Sequence, residues 1–239
     1  MSISGKSAKI RQAVILAGGQ ATRLRPYTDD RPKAMVSVGG RPIVDWQLEW
    51  LAKAGCEHVV VSCGYLAEVL DKHLAGHSYT LTIEVAVEAE PLGRGGALRF
   101  AAGHLPYPEE RWLALNGDVL CRFPLGDLMD RHVALEAMAT IALAQYRTTW
   151  GIATLDEKDR IAGFVQSPRL PYWINGGVYA FEPDVVDLLP VKGDHEDTTF
   201  PQLAVDKRLA AYKIEGYWRG VDTVKDVKEA GEEIGLQGW

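Results

Sequence analysis

Apolar residues in the first half of the chain fall into short runs that end in glycine or turn residues. These runs alternate with stretches of helical spacing. Gln12-Ala-Val-Ile-Leu-Ala17 is one such run, closed by Gly18-Gly19, and it reads as a buried strand entering a tight loop. Pro42 suits a first helical turn, ahead of a helix over residues 43–54 that Gly55 ends. Strands are predicted at 58–63, 81–87 and 111–116, and helices at 66–74 and 95–102. The second half is less regular. Strands are predicted at 138–143, 151–155, 161–165, 174–181 and 209–214, short helices at 183–189 and 200–206, and a closing helix at 223–234.

Alternating strands and helices imply an α/β layered fold with a largely parallel sheet. Such folds bind ligands at the carboxyl ends of strands. Gly18-Gly19 and Asp118 both fall at predicted strand ends, so they are read together. No linker separates the halves, so residues 1–239 are read as one domain with a substrate-facing insertion. Residues 1–10 are read as a flexible start.

Composition narrows the functional classes. The chain has 239 residues, 47% hydrophobic and 24% charged, with a net charge of −6. That balance fits a packed globular protein and argues against a general nucleic-acid binder. It leaves room for a local cationic pocket. Three scattered cysteines suit a reducing compartment rather than a disulfide framework or a zinc site. No stretch approaches a membrane span, and the polar start lacks the apolar core of a signal peptide. A cytoplasmic location is therefore expected.

The strongest chemical signal is Leu16-Ala-Gly-Gly-Gln-Ala-Thr-Arg-Leu-Arg-Pro26, followed by Arg31-Pro-Lys33. Glycines let a backbone approach phosphate closely, and successive N–H groups form an anion nest. Arg23 offers a forked donor and Lys33 a point charge. A Walker A loop is absent, since Gly5-Lys6-Ser7 has too few residues upstream. The dinucleotide fingerprint is absent too, because Gln20 and Arg23 occupy its glycine positions. His73 and His77, one helical turn apart, are read as a solvated pair without a third ligand. Ile43, Trp46 and Trp50 read as one core-facing helix stripe.

These residues resemble the signature of the sugar-1-phosphate nucleotidyltransferases. Further blocks match in order: Gly39-Gly-Arg-Pro-Ile43, Glu90-Pro-Leu-Gly-Arg-Gly-Gly-Ala97, Leu115-Asn-Gly-Asp118, Asn175-Gly-Gly-Val-Tyr179 and Tyr217-Trp-Arg-Gly-Val-Asp-Thr223. The similarity spans residues 11–236. It is strongest to the guanylyltransferases for mannose or manno-heptose 1-phosphate. The resemblance implies a Rossmann-like three-layer α/β/α fold with a mostly parallel, mixed central sheet and no C-terminal β-helix domain. It implies Mg²⁺-dependent transfer of a nucleotidyl group from a nucleoside triphosphate, GTP above all, to a sugar 1-phosphate, with release of pyrophosphate. The partners are then small molecules, with neither nucleic acid nor membrane, and a homo-oligomer is compatible with the sequence.

By motif match, Arg23, Lys33 and Asp118 would be catalytic. Leu16, Ala17, Gly18, Gly19, Thr22, Arg23, Lys33, Glu88, Gly93, Gly95, Asn116 and Gly117 would hold the nucleotide. Asn116, Arg169, Asn175 and Gly176 would meet the sugar. Asp118 and Asp222 would bind Mg²⁺.

Two departures matter. Family members often carry Trp-x-Asp-x-Gly-Thr, but here Gly220 and Asp222 take the Asp and Gly positions. Asp222 is either the second metal ligand or a cap on the closing helix. The usual Glu-Lys-Pro is Gln166-Ser167-Pro168, leaving Arg169 as a substitute cation. Glu88 and Glu90 offer carboxylates that accept from the N1–H and N2 amine of guanine; otherwise they are surface charges. The alternatives are a uridylyl- or cytidylyltransferase acting on glucose or N-acetylmuramic acid 1-phosphate, and a non-catalytic nucleotide-sugar-binding regulatory subunit.

Overall fold

β-branched and apolar runs without polar interruption need cover on both faces, and here they build the middle of one sheet. The computed structural model describes residues 9–19 and 21–237. The first half holds β1 (Gln12–Leu16), β2 (Ser37–Val38), β3 (Arg41–Pro42), α1 (Ile43–Lys53), β4 (His58–Cys63), α2 (Ala67–Ala75), β5 (Thr82–Val87), α3 (Gly93–Ala102), β6 (Trp112–Asn116) and β7 (Val119–Arg122). There follow α4 (Leu125–Ala134), β8 (Ala139–Arg147), β9 (Ile152–Leu155), β10 (Ile161–Val165), β11 (Arg169–Phe181) and α5 (Val185–Leu188). The chain closes with α6 (Thr199–Val205), β12 (Leu209–Lys213), β13 (Tyr217–Gly220) and α7 (Val224–Gln237).

Seven strands form the central sheet in the order β12-β8-β11-β6-β1-β4-β5. β1 pairs in parallel with β4 and β6, β4 with β5, and β12 with β8; β11 runs against both β6 and β8. Alternation along the strands sends Ala13, Ile15, Val59, Val61, Leu113 and Leu115 to one face, where α1, α2 and α4 cover them. Val14, Val60, Trp112, Ala114, Tyr179 and Phe181 face the other layer, under α3, α5 and α6. The architecture is thus a mixed, mostly parallel sheet between two helical layers, as the pattern predicts.

A smaller core gathers Leu24, Val36, Val38, Ile43, Leu120, Val221, Val227 and Ile234. It ties the β2–β3 hairpin, the β7–β13 pair and α7 into one support beside the sheet. The β9–β10 hairpin differs from everything else. Its side chains are almost all exposed, and Phe164 keeps 62% of its surface in solvent.

Several boundaries differ from the sequence-based reading. Helix α4 was not anticipated, although Leu125, Leu128, Met129 and His132 are buried at i, i+3, i+4 and i+7. Pro42 precedes α1 in extended conformation instead of opening it. β11 starts at Arg169 rather than 174. The flexible start does not extend to residue 10: Ile10 is buried in the main core and Lys9 pairs with Glu57 at 3.0 Å, while residues 1–8 lie outside the described residues. His73 is not solvated, because its Nε2 lies 2.9 Å from the buried Asp45 Oδ1, which also accepts from Tyr79. Ile43 is fully buried with Trp46 against it in the small core, whereas Trp50 packs against the main core beside Phe123. Among the described residues, no helix is long and apolar enough to cross a membrane.

Two histidines are sealed inside. His132 is on the buried face of α4 with its Nδ1 2.9 Å from Thr140 Oγ1, and His195 packs edge-on against Tyr179 and Phe200. Burial is the main reason both pKa values fall to about 4; for His132 the Glu182 charge opposes this. Unfolded histidine titrates near ~6.5, so the unfolded chain binds these protons first. Folding stability should therefore decline as pH drops from ~6.5 toward 4. Urea unfolding across that range should show the decline, and His132→Gln should lose part of its slope.

Candidate active site

β1 and β6 are neighbours, but the chain leaves β1 toward β4, on the other side. The switch opens a crevice beyond their carboxyl ends, the place where open α/β sheets bind ligands. A cleft of about 550 Å³ occupies it. Leu16, Ala17, Gly18 and Gly19 form one lip and Asn116, Gly117 and Asp118 the other. The lips are stitched by Gly117 N–H donating to Leu16 C=O at 2.8 Å. A Cβ on Gly117 would collide with that same carbonyl, so only glycine allows this approach. The Asn116–Val119 turn is clamped from α1: Gln47 Nε2 donates to the carbonyls of Asn116 at 2.8 Å and Val119 at 2.9 Å.

Lys33 enters from a 3₁₀ turn over Lys33–Met35, seated on buried Ala34 and Met35. Its Nζ lies 2.7 Å from Asp118 Oδ2 and 2.8 Å from Asp222 Oδ1. Arg23 Nη2 reaches the same Asp222 oxygen at 3.1 Å. Partial burial pushes the Asp222 carboxyl pKa up. The Lys33 hydrogen bond, with the charges of Lys33 and Arg23, outweighs this and holds it below the usual carboxylate range.

The helix cap is made elsewhere. Asp226 N–H donates to Thr223 Oγ1, and Asp226 Oδ2 accepts from the Thr223 and Asp222 N–H groups. Thr223 and Asp226 thus form a reciprocal capping box, and the Asp222 side chain is left to its ion pairs with Lys33 and Arg23.

Among the described residues no group of three or more His, Cys, Asp or Glu side chains could hold a metal. Asp118 and Asp222 are two hard carboxylates facing one shared cation. That donor set suits Mg²⁺, which takes one or two carboxylates and completes its shell with phosphate oxygens and water.

Glu88 lies against the first glycine. Its Oε1 accepts from Ser62 Oγ at 2.8 Å, its Oε2 from Leu92 N–H at 3.4 Å, and a Cβ on Gly18 would sit 3.0 Å from Oε1. Glu90 is instead a surface partner of Lys192 at 2.8 Å. Gly93 also lines the cleft.

Other predicted residues lie apart from the lining. Gly95 donates to Gly193 C=O at 2.9 Å and is packed against Pro190 and His195. Its N–H is therefore spent on the protein. Thr22 is exposed at the start of a 3₁₀ turn. Asn175 has protein partners: Nδ2 donates to Glu196 Oε1 at 2.7 Å and Tyr179 Oη at 2.9 Å, and Oδ1 accepts from Gly177 N–H at 2.9 Å. Gly176 C=O accepts from Trp218 Nε1 at 2.8 Å. Arg169 is exposed at the start of β11, directly opposite Arg147.

Sequence reasoning missed Arg94 and Asp194, both in the cleft wall. Arg94 Nη1 pairs with Glu196 at 2.6 Å and Nη2 with Asp194 at 3.0 Å. Arg94 stands inside the Glu90–Ala97 block and Asp194-His-Glu-Asp197 is an acidic run, but sequence alone does not connect the two.

A sequence model of the nucleotidyl transferase family matches residues 12–235, and the chain belongs to that family. It is 37% identical over 226 residues to mannose-1-phosphate guanyltransferase of Pichia angusta, covering 90% of this chain and 62% of the relative. It is 35% identical over 222 residues to the mannose-1-phosphate guanylyltransferase catalytic subunit beta of Drosophila melanogaster, covering 90% and 60%. The chain thus spans about three fifths of the length of these curated relatives. Crystal structures of HddC from Yersinia pseudotuberculosis, one complexed with GMP-PN, share the fold. Each has a TM-score of 0.73 and 24% identity, over 94% of this chain and all of theirs.

The crowding at Gly117 gives a controlled test. A Cβ at Gly19 meets nothing within 4 Å. Gly117→Ala should cost ~1–3 kcal/mol by overpacking and lower Tm by several degrees. Gly19→Ala should melt like the parent, and scanning calorimetry of the two variants checks both.

Proposed function

We propose that the protein transfers a guanylyl group from GTP to a mannose-type or manno-heptose-type 1-phosphate, releasing pyrophosphate. The observation that carries this reading is the convergence of Arg23, Lys33, Asp118 and Asp222 at the mouth of a glycine-lipped cleft. The names of the curated relatives support the choice of reaction and substrates.

The chemistry asked of the protein is positioning and charge neutralisation. An oxygen of the sugar phosphate attacks the α-phosphorus, a P–O bond forms, and the bond to the β-phosphate oxygen breaks to free pyrophosphate. Gly18 and Gly19 let the triphosphate lie against the backbone. The Lys33 ammonium and Arg23 guanidinium offset the charge gathering on the α-phosphate and the leaving group. Asp118 and Asp222 would hold Mg²⁺, which when bound would screen phosphate charge and orient the triphosphate. No general base is required, because a phosphate monoester is already an anionic nucleophile near neutral pH.

Glu88 is the base-reading residue in this account. A carboxylate has about four lone-pair sites; Ser62 and Leu92 N–H use two. The remainder can accept from the N1–H and N2 amine of guanine. Arg94, Asp194 and Glu196 would define the wall that faces the bound substrates.

Pyrophosphate release should be measured with GTP, ATP, UTP and CTP against mannose, heptose, glucose and N-acetylmuramic acid 1-phosphates, with Mg²⁺. Turnover is expected with GTP, and only when a sugar 1-phosphate is present. A pyrimidine preference would reassign the base, and silence throughout would refute the reaction. Lys33→Met and Asp118→Asn should each lower turnover ~10²–10³-fold. Glu88→Gln should lower kcat/KM for GTP about tenfold to a hundredfold while affecting ITP, which lacks the N2 amine, less. An unchanged GTP-to-ITP ratio would remove Glu88 from base recognition.

A further inference from the structure

The cleft contains a cation between its two carboxylates, and that cation belongs to the protein. Lys33 Nζ is within hydrogen-bond distance of Asp118 Oδ2 and Asp222 Oδ1, at 2.7 and 2.8 Å. The lysine side chain is seated, with 13% of its surface exposed, whereas Asp118 and Asp222 keep 35% and 46%. Arg23 adds a second positive charge at 3.1 Å from the same Asp222 oxygen.

Two cations and two carboxylates leave this group without net charge. A divalent ion approaching it feels no net Coulomb attraction, and at the carboxylates it meets the ammonium as a near neighbour of like sign. Mg²⁺ also gives up water reluctantly and gains little from oxygens already engaged by N–H donors. A triphosphate changes both terms. Its charge draws Lys33 and Arg23 outward, and its oxygens supply the ligands that two carboxylates lack.

We propose that Lys33 is the resident counter-ion of the Asp118–Asp222 pair and must leave it before a divalent cation can bind there. Metal entry is thereby coupled to transfer of the Lys33 ammonium onto the nucleotide phosphates. This rests on the nucleotidyl-transfer reading above and assigns Lys33 a positioning role before any chemistry. The coupling runs both ways by linkage: nucleotide strengthens metal binding as much as metal strengthens nucleotide binding. Free protein would then bind divalent ions only weakly, and tightly once the triphosphate arrives.

The test uses Mn²⁺ as the probe, with the free ion counted by electron paramagnetic resonance. Wild-type protein without nucleotide should bind weakly. Lys33→Gln should bind roughly tenfold or more tightly, the scale set by losing one like charge at about 5 Å in a water-like dielectric. Adding Asp118→Asn to that variant should abolish the gain. A non-hydrolysable GTP analogue should narrow the gap between wild type and Lys33→Gln.

If Lys33→Gln melts cooperatively and binds Mn²⁺ no more tightly than wild type, the proposal is overturned. If that variant does not fold, wild-type protein still decides. Acylation of Lys33, followed by peptide mass spectrometry, should be slow in the free protein and faster with saturating Mn²⁺ alone; unchanged protection overturns the proposal. Both readouts are independent of turnover. Failure to release pyrophosphate would count against the reaction and leave the competition between lysine and metal to be judged on its own data.

Discussion

Lys33 reaches the cleft from a single 3₁₀ turn, and its ammonium is shared by carboxylates 85 and 189 residues further along the chain. The ammonium offsets the mutual repulsion of the two carboxylates. The supports are therefore as informative as the contact. Asp118 follows β6, a fully covered central strand. Asp222 follows β13, which is pinned to β7 by pairing from Tyr217–Arg122 to Gly220–Val119. Lys33 rests on Ala34 and Met35, which pack into the main core. Three separately anchored segments thus fix the positions of a few polar atoms, and rigid anchoring of this kind is what charge stabilisation needs.

Much of this was legible in the sequence because it is local. The strands at 12–16, 58–63 and 112–116 are unbroken apolar runs, which few structures other than buried strands accommodate. Gly18-Gly19, Arg23 and Lys33 carry their chemistry in residue type alone. Helix α4 escaped because its four buried positions are diluted by Asp127, Asp130 and Arg131, although its spacing is regular. β13 escaped because all four of its residues are half-buried, which erases the alternation by which a strand is recognised.

Other parts needed three dimensions. Nothing in the sequence says that Asp222 faces Lys33 while Thr223 caps the helix, since Asp and Thr both serve as caps. Nor could it show that Arg94 pairs with Asp194 and Glu196. The partners of Asn175 needed the fold in the same way. An amide that offers donors and an acceptor looks available to a sugar. In the fold Tyr179 and Glu196 take both of its N–H donors and Gly177 N–H takes one acceptor site of Oδ1, so it also holds Glu196 and the bend of β11.

The β9–β10 hairpin contributes nothing to any of the buried clusters and carries exposed Ile161, Phe164 and Val165. It leads straight into Gln166-Ser167-Pro168 and the start of β11. Residues with little buried surface can be exchanged at little thermodynamic cost. The sequence of this rim can therefore change while the buried middle of the sheet, on which the cleft is built, stays fixed, so the hairpin is the part of the surface with most freedom to diverge.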